Sequence, residues 1–252
     1  MDREELKRNW EKTQLNWNDT DFLAQEANAL MKQRWRRLNL MIGRFTASEV
    51  ARATGYIDFL DVGAGRGEFF KYINGIVKNY TGIEPSDAML PFEIKEEGFE
   101  MLKGSGETID YDEKYDVCLV KEALDHCYDP GLLISNCHKA LKKGGLLIIT
   151  LTNRESYYKL MFKKRAQELE KQHTDHLYNF APRDVVKLVN EAGFLAERVI
   201  SYNYLRMPRF MEEALGRLDE KFTHSVLDVT DTIGAMLLKN KGGSFIVLAR
   251  KK

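Results

Sequence analysis

An excess of charge of either sign is missing from this sequence: over 252 residues, 38 Lys and Arg balance 38 Asp and Glu, leaving a formal net charge of zero. No global field therefore draws the chain toward nucleic acid or an anionic membrane, although a local patch is compatible with that balance. Cysteine is scarce. Cys118, Cys127 and Cys137 are odd in number and fall within one stretch that reads as strand, loop and helix, which argues against a disulfide framework or a zinc site. Long apolar runs are absent as well: Leu146-Leu147-Ile148-Ile149 is far too short to span a bilayer, and the charged opening from Met1 to Arg8 does not read as a secretory leader. The expected compartment is the cytoplasm, without membrane insertion. Internal repeats and low-complexity tracts are also lacking. What remains is an ordinary composition, 44% hydrophobic and 30% charged, in a chain long enough to bury one sizeable core with appendages.

Residues 1–54 read as a helical extension, because Leu30, Trp35, Leu38, Ile42 and Phe45 recur at helix-like intervals with no Pro between them. From Tyr56 the rhythm changes to short apolar runs alternating with amphipathic stretches, the pattern of βαβ units around a parallel sheet. Strands are expected at 57–62, 79–84, 98–102, 115–120, 145–151, 194–201 and 244–250. Between the fourth and fifth of these, Asp129 and Pro130 suit a helix start, Lys142 and Lys143 complement its dipole, and Gly144 suits its end. The main domain therefore covers 55–252, with helical insertions at about 154–171, which reads as exposed, and 203–238, of which 208–238 is again helical.

The first strand runs into Gly63-Ala64-Gly65-Arg66-Gly67. Glycines there let the backbone turn tightly and approach a ligand, and amides at the start of a following helix would face an anion. A lone glycine turn is also compatible with nicotinamide or flavin binding, or with a purely structural turn. Here Glu68 stands where the dinucleotide fingerprint requires its third glycine, and Asp61 precedes the turn. The second strand ends in Glu84, 17 residues after Gly67, where a carboxylate can hold a ribose diol or simply solvate a strand end.

Asp61-Val62-Gly63-Ala64-Gly65-Arg66-Gly67, followed by Gly82-Ile83-Glu84-Pro85-Ser86-Asp87-Ala88-Met89-Leu90, resembles the class I S-adenosylmethionine-dependent methyltransferases. More narrowly, it is similar to the small-molecule branch that includes ubiquinone-biosynthesis and glycan- or natural-product-modifying enzymes. The likeness continues through Glu122–Pro130, Ala140–Ile148, His176–Pro182 and Gly243–Arg250, about 150 residues in all. It implies a Rossmann-like α/β fold with a seven-stranded sheet in the order 3-2-1-4-5-7-6, the last strand antiparallel. It also implies S-adenosylmethionine as methyl donor. Asp61 would belong to the donor-binding set, Gly63, Gly65 and Gly67 would pack against the methionine part, Glu84 would bind the ribose, and Pro85 and Met89 would border the adenine, with Lys121 and Glu122 at the floor of the methionine pocket. Where relatives often read Gly-Asp-Ala-Glu, this chain has Gly104-Ser105-Gly106-Glu107. Ser105 is shorter and neutral, so the adenine contact shifts toward backbone groups of Gly106 and Glu107.

Methyl transfer from a sulfonium needs donor and acceptor held in line, and an alcohol or phenol acceptor gains further from a base. Histidine suits that task near neutral pH. His126, just after the fourth strand, and His176, in a His-aromatic segment, are the catalytic candidates; either can instead be a hydrogen-bonded structural residue. Asp125 and Asp175 are placed to orient them, and His173 is an alternative to His176. The His173/His176 spacing hints at a metal, but no compact set of further ligands accompanies it, so no metal site is expected. Lys32-Gln33-Arg34-Trp35-Arg36-Arg37 reads either as a phosphate clamp or as a solvated helix face with Trp35 turned inward. Tyr157, Tyr158, Tyr202, Tyr204 and Phe210 are candidate walls of an acceptor pocket. The leading function is methyl transfer to a small-molecule acceptor, with oxygen as the receiving atom. An RNA methyltransferase and a non-catalytic donor-binding scaffold are the alternatives; the absence of a basic tail weighs against the first.

Overall fold

The computed structural model describes residues 3–14, 29–90, 96–161, 176–207 and 209–252. His173, Asp175 and residues 162–171 of the expected insertion lie outside them, as do residues 15–28 of the amino-terminal extension. Two helices, α1 (Arg3–Gln14) and α2 (Ala29–Ala53), precede the sheet. Its strands are β1 (Ile57–Val62), β2 (Val77–Glu84), β3 (Phe99–Lys103), β4 (Tyr115–Lys121), β5 (Leu141–Thr152), β6 (Phe194–Tyr202) and β7 (Ser244–Lys251). They form one sheet in the order 3-2-1-4-5-7-6. β7 pairs antiparallel with both β5 and β6, and the remaining pairs are parallel. The expected architecture is therefore present.

Buried on both faces, the central strands read as nearly continuous apolar runs, as parallel strands under two helical layers must. One core layer joins Leu60, Val120 and Leu147 to α3 (Pro130–Ala140) and α5 (Pro182–Glu191). The other joins Phe59, Tyr80 and Ile148 to Leu38 and Ile42 of α2. Ile42 is fully buried, so α2 contributes to the core of the sheet.

α3 starts as anticipated, with Asp129 accepting from the Leu132 amide at 2.9 Å and Pro130 in its first turn. It ends at Ala140, however, and β5 begins at Leu141. Leu141 is buried opposite Tyr115, and Lys142 reaches Asp116 and Asp58 at 2.8 and 3.2 Å. Strand pairing thus takes over before the dipole-complementing lysines, and Gly144, with φ +76°, lies inside the strand span. The span 208–238 holds two helices, α6 (Arg209–Gly216) and α7 (Glu220–Leu238), because Asp219 caps a new start by accepting from the Phe222 amide at 3.1 Å. Of the insertion at 154–171, the described part contains the short α4 (Tyr157–Met161). No helix of the described residues is long and apolar enough to cross a membrane.

Truncating Ile42 to Ala should cost about 2–5 kcal/mol, as expected for a fully buried aliphatic side chain. Urea denaturation checks this, and an unchanged midpoint would show α2 to be detachable from the core.

Candidate active site

Parallel pairing brings the carboxyl ends of β1, β2, β4 and β5 to one edge of the sheet. There Gly63, Gly65 and Gly67 all take positive φ values of +57° to +73°, which an L side chain adopts only at a cost. A Cβ on Gly63 would lie 2.5 Å from that of Ala123, whereas one on Gly65 would meet Met89 Cε at 3.6 Å. Close packing therefore explains Gly63, while Gly65 faces the looser space beside Met89.

The turn leads into a single 3-10 segment, Glu68–Tyr72, rather than the expected α-helix. Its amides are largely committed: those of Gly63 and Ala64 donate to the Ile83 carbonyl at 2.9 and 3.1 Å, and that of Gly67 to the Ala64 carbonyl at 3.0 Å. Glu84 ties the turn down, because Oε2 accepts from the Gly65 amide and Oε1 from the Ser86 amide, both at 2.9 Å. Burial pushes the Glu84 carboxyl above its ordinary pKa, against the pull of these two amides. Pro85 follows half-buried, and Met89 is buried.

Asp61 is buried, and its Oδ2 accepts from the Tyr80 hydroxyl at 2.6 Å. Desolvation raises its pKa, while the Lys121 charge and the Tyr80 bond pull it down. Lys121 donates to Asn39 Oδ1 of α2 at 3.2 Å, and desolvation lowers its pKa. Three oxygens on this edge, Asp61 Oδ1, Ser105 Oγ and, just after β4, Asp125 Oδ1, are buried without a hydrogen-bond partner among the described residues. Such orphaned acceptors suit a ligand rich in N–H and O–H donors, and the ammonium, ribose hydroxyls and adenine amine of S-adenosylmethionine are donors of that kind. The Gly106 carbonyl and the Glu107 side chain already have partners. The Gly106 carbonyl accepts from Asn136 Nδ2 at 3.1 Å, and Glu107 Oε1 accepts from the Tyr128 and Asp129 amides at 2.8 and 3.3 Å. The Glu107 carboxylate thus holds the turn before α3.

Beyond β4 the two catalytic candidates come together. His126 and His176 stand edge to face with ring centroids 4.5 Å apart. Buried Asp125 serves both: its Oδ2 lies 3.1 Å from His176 Nδ1 and its Oδ1 3.9 Å from His126 Nε2. The Asp125 carbonyl also accepts from the Leu177 and Tyr178 amides at 2.9 and 3.1 Å, docking the distant segment onto the loop. Burial raises the Asp125 pKa, but the His176 hydrogen bond and the charges of both histidines outweigh it and bring the pKa below the ordinary carboxylate value. From α1, Gln14 Nε2 reaches His126 Nδ1 at 3.3 Å, and Trp10 packs edge-on against Tyr128 at 5.4 Å. Asp125, His126 and His176 offer ligand atoms that all lie within 4.8 Å of one another, so the trio is also a possible metal-holding group, a different set from the His173/His176 pair. Tyr202 and Tyr204, anticipated as pocket walls, are buried in the body of the protein instead; Tyr204 packs under Gly234 and donates its hydroxyl to the Lys239 carbonyl.

Sequence reasoning missed the bond from Thr150 Oγ1 to Glu122 Oε1 at 3.0 Å. A threonine at the end of an apolar strand was its only visible trace. Burial, and next the Asp125 charge, push the Glu122 carboxyl up to about 7 from its ordinary 4.5. In that window the folded state holds a proton that the unfolded chain has released. Stability therefore falls as pH rises from about 4.5 to about 7, by up to about 3 kcal/mol, and levels off above that range. Glu122→Gln removes this component. Urea midpoints at about pH 5 and about pH 8 should show the variant gaining on the wild type at the higher pH, and parallel behaviour would refute the raised carboxyl.

A sequence profile described as a methyltransferase domain matches residues 60–149. The chain is 28% identical over 136 residues to an uncharacterised protein of Methanocaldococcus jannaschii, an alignment covering 54% of this chain and 63% of that protein. It is 24% identical over 156 residues to a ubiquinone biosynthesis O-methyltransferase of Thiobacillus denitrificans, covering 58% of this chain and 67% of that one. With the corresponding enzyme of Bradyrhizobium diazoefficiens the coverage falls to 40% and 42%, at 27% identity. The chain thus spans between about two fifths and two thirds of the length of these curated relatives. Among solved structures, an S-adenosylmethionine-dependent methyltransferase from Thermotoga maritima superposes with a TM-score of 0.56 at 20% identity, over 88% of this chain and 94% of that one. A phosphoethanolamine N-methyltransferase of Haemonchus contortus, solved with S-adenosylmethionine, gives 0.53 at 16% identity, over 78% and 49%. The solved structures share the fold, and the domain match spans the glycine turn, Glu84 and the His126 loop; over residues 60–149 the chain is similar to the methyltransferase domain, on the fold of class I S-adenosylmethionine-dependent methyltransferases.

Proposed function

We propose that this chain transfers the methyl group of S-adenosylmethionine to an oxygen atom of a small-molecule acceptor. The observation that carries the reading is the Asp125-His126-His176 trio standing on the same sheet edge as the glycine turn and Glu84. Asp61, Gly63, Gly65, Gly67 and Glu84 are assigned to the donor, with Pro85, Met89, Ser105 and the backbone of Gly106 and Glu107 toward its adenine. Lys121 and Glu122 lie beneath. When bound, the donor supplies an electrophilic methyl on a sulfonium. His126 or His176 accepts the acceptor hydroxyl proton as the oxygen–carbon bond forms and the carbon–sulfur bond breaks. Asp125 holds the rings in orientation and stabilises the imidazolium that results. The zero net charge favours a small acceptor over RNA, and the intact glycine turn and buried Glu84 favour turnover over a scaffold role. The ubiquinone O-methyltransferases among the relatives support oxygen as the receiving atom.

A second reading is favoured by the 4.8 Å grouping of donor atoms in the trio. In it Asp125, His126 and His176 would hold a divalent cation, which would supply a lowered pKa to the acceptor hydroxyl, and the expectation of no metal would be abandoned.

Calorimetry should show S-adenosylhomocysteine binding to the wild type and binding at least about tenfold weaker in a folded Glu84→Ala variant, a loss of about 1.4 kcal/mol. Failure of the wild type to bind would defeat the donor assignment. On an acceptor found by screening hydroxylated compounds, His126→Ala or His176→Ala should lower turnover about 100-fold or more with little change in donor affinity. Full turnover in both variants removes the base. Chelation should leave the wild-type rate unchanged; loss on chelation with recovery on adding a divalent cation would select the second reading.

A further inference from the structure

The basic stretch of α2 divides its charges unequally. Arg36 pairs with Glu220 at 2.8 Å, and Arg37 grips Asp228 and Asp231, each at 2.6 Å. Both are spent fastening α2 to α7. Arg34 is different. Its side chain is 2% exposed, and Nη2 alone is used, donating to the Leu205 carbonyl at 2.7 Å and to Glu212 Oε1 at 3.0 Å. Its Nε and Nη1 are buried and have no acceptor among the described residues. A guanidinium offers five N–H donors in a fixed fork, and leaving part of that fork dry and unpaired is costly.

A second guanidinium adjoins it. Arg206, next along the chain from the Leu205 carbonyl that Arg34 holds, lays its head against Gly243, where an added Cβ would lie 2.6 Å from Nη2 and 3.3 Å from Nε. Arg206 keeps exposed surface, yet packing around its head and then the Arg34 charge lower its pKa, with Glu212, Tyr157 and Tyr158 opposing. Tyr157 closes the group from α4, its hydroxyl donating to the Tyr204 carbonyl at 2.5 Å. Among the described residues Glu212 therefore faces two cations, and one positive charge is left over beside the unpaired N–H groups of Arg34. The place is also telling. β5 and β6 both pair antiparallel with β7, so they run parallel to each other. Their carboxyl ends, from which Tyr157 and Arg206 follow, lie on the same edge of the sheet as Glu84 and His126.

We propose that Arg34 and Arg206, flanked by Tyr157, form a binding site for an oxyanion, phosphate or carboxylate, carried by the methyl acceptor. Such a group brings the missing charge and the acceptor atoms that the guanidinium fork requires. The acceptor is then an anionic small molecule, anchored at the ends of β5 and β6 while its nucleophile is presented near the end of β4. The anion site stands on its own geometry; that the anion belongs to the acceptor rests on the methyl-transfer reading above.

The test is calorimetric titration of the full chain with sodium phosphate and with sodium acetate, against chloride at equal ionic strength. The wild type should bind one of the two oxyanions, phosphate pointing to a phosphoryl acceptor and acetate to a carboxylate. Arg206→Gln should weaken that binding at least tenfold, whereas Arg36→Gln, which removes the same charge from an exposed ion pair, should leave it unchanged. S-adenosylhomocysteine should bind wild type and Arg206→Gln equally and should not displace the oxyanion. No oxyanion binding to the wild type overturns the proposal, as does equal weakening in both variants or displacement by S-adenosylhomocysteine. Oxyanion binding that depends on Arg206, in a protein that does not bind S-adenosylhomocysteine, would uphold the anion site and sink the methyl-transfer reading, so the two failures are distinct.

Discussion

The register of β1 between β2 and β4 is the constraint on which the rest of the molecule depends. Phe59, Leu60, Asp61 and Val62 are each matched on both sides, by Tyr80 to Ile83 and by Val117 to Val120. Because both pairings are parallel, β1, β2 and β4 must end together, and every turn that follows them emerges on one side. A one-residue slip would turn Phe59 and Leu60 to the wrong faces and place Asp61 in an apolar layer. It would also separate Glu84 from the Gly65 amide, and with that bond the glycine turn would lose its tie to β2.

That edge is acidic at its centre, and the acids are managed individually. Asp61 has Tyr80 and the field of Lys121, Glu84 has two backbone amides, Glu122 has Thr150, and Asp125 has two histidines. Burying so many carboxyls without a matching cation for each would unfold a chain of marginal stability. The protein offsets the cost in two ways. Some carboxyls accept a bond at each oxygen, as Glu84 does, and Glu122 is pushed toward its neutral form. Bonding is left incomplete on this edge at Asp61 Oδ1, Ser105 Oγ and Asp125 Oδ1.

Much of this was legible because the signals were local. Strand positions followed from apolar runs that must fill two faces at once, and the cap of α3 followed from Asp129 and Pro130, whose effects reach only one turn. The failures were non-local. Gly144 resembled a helix stop, but Leu141 opposite Tyr115 and Lys142 between Asp58 and Asp116 drew those residues into β5 first. The glycine turn resembled the start of a full helix, yet the segment between β1 and β2 closes after a single 3-10 turn. Tyr202 and Tyr204 looked like pocket walls because aromatic residues in a connection resemble exposed ones; α7 covers Tyr204 with Gly234. His126 and His176 were each visible, but that they share one carboxylate depends on the Asp125 carbonyl capturing the Leu177 and Tyr178 amides, which no spacing encodes.

The amino-terminal helices sharpen the same point about where function is decided. Gln14 of α1 reaches His126, Trp10 packs on Tyr128, and Asn39 of α2 takes the Lys121 ammonium. The segment with the weakest sequence signature therefore touches the histidine pair and the floor of the donor edge. Arg34, from the same helix as Asn39, extends that influence to the ends of β5 and β6. The sheet fixes the edge that carries the glycine turn and Glu84, since its strand ends are locked by pairing. Beside the histidine pair and Lys121 stand α1 and α2, and their side chains on that side, such as Gln14 and Asn39, take no part in the register of β1. A fold of this kind can keep one donor site and exchange acceptors by altering those helices alone.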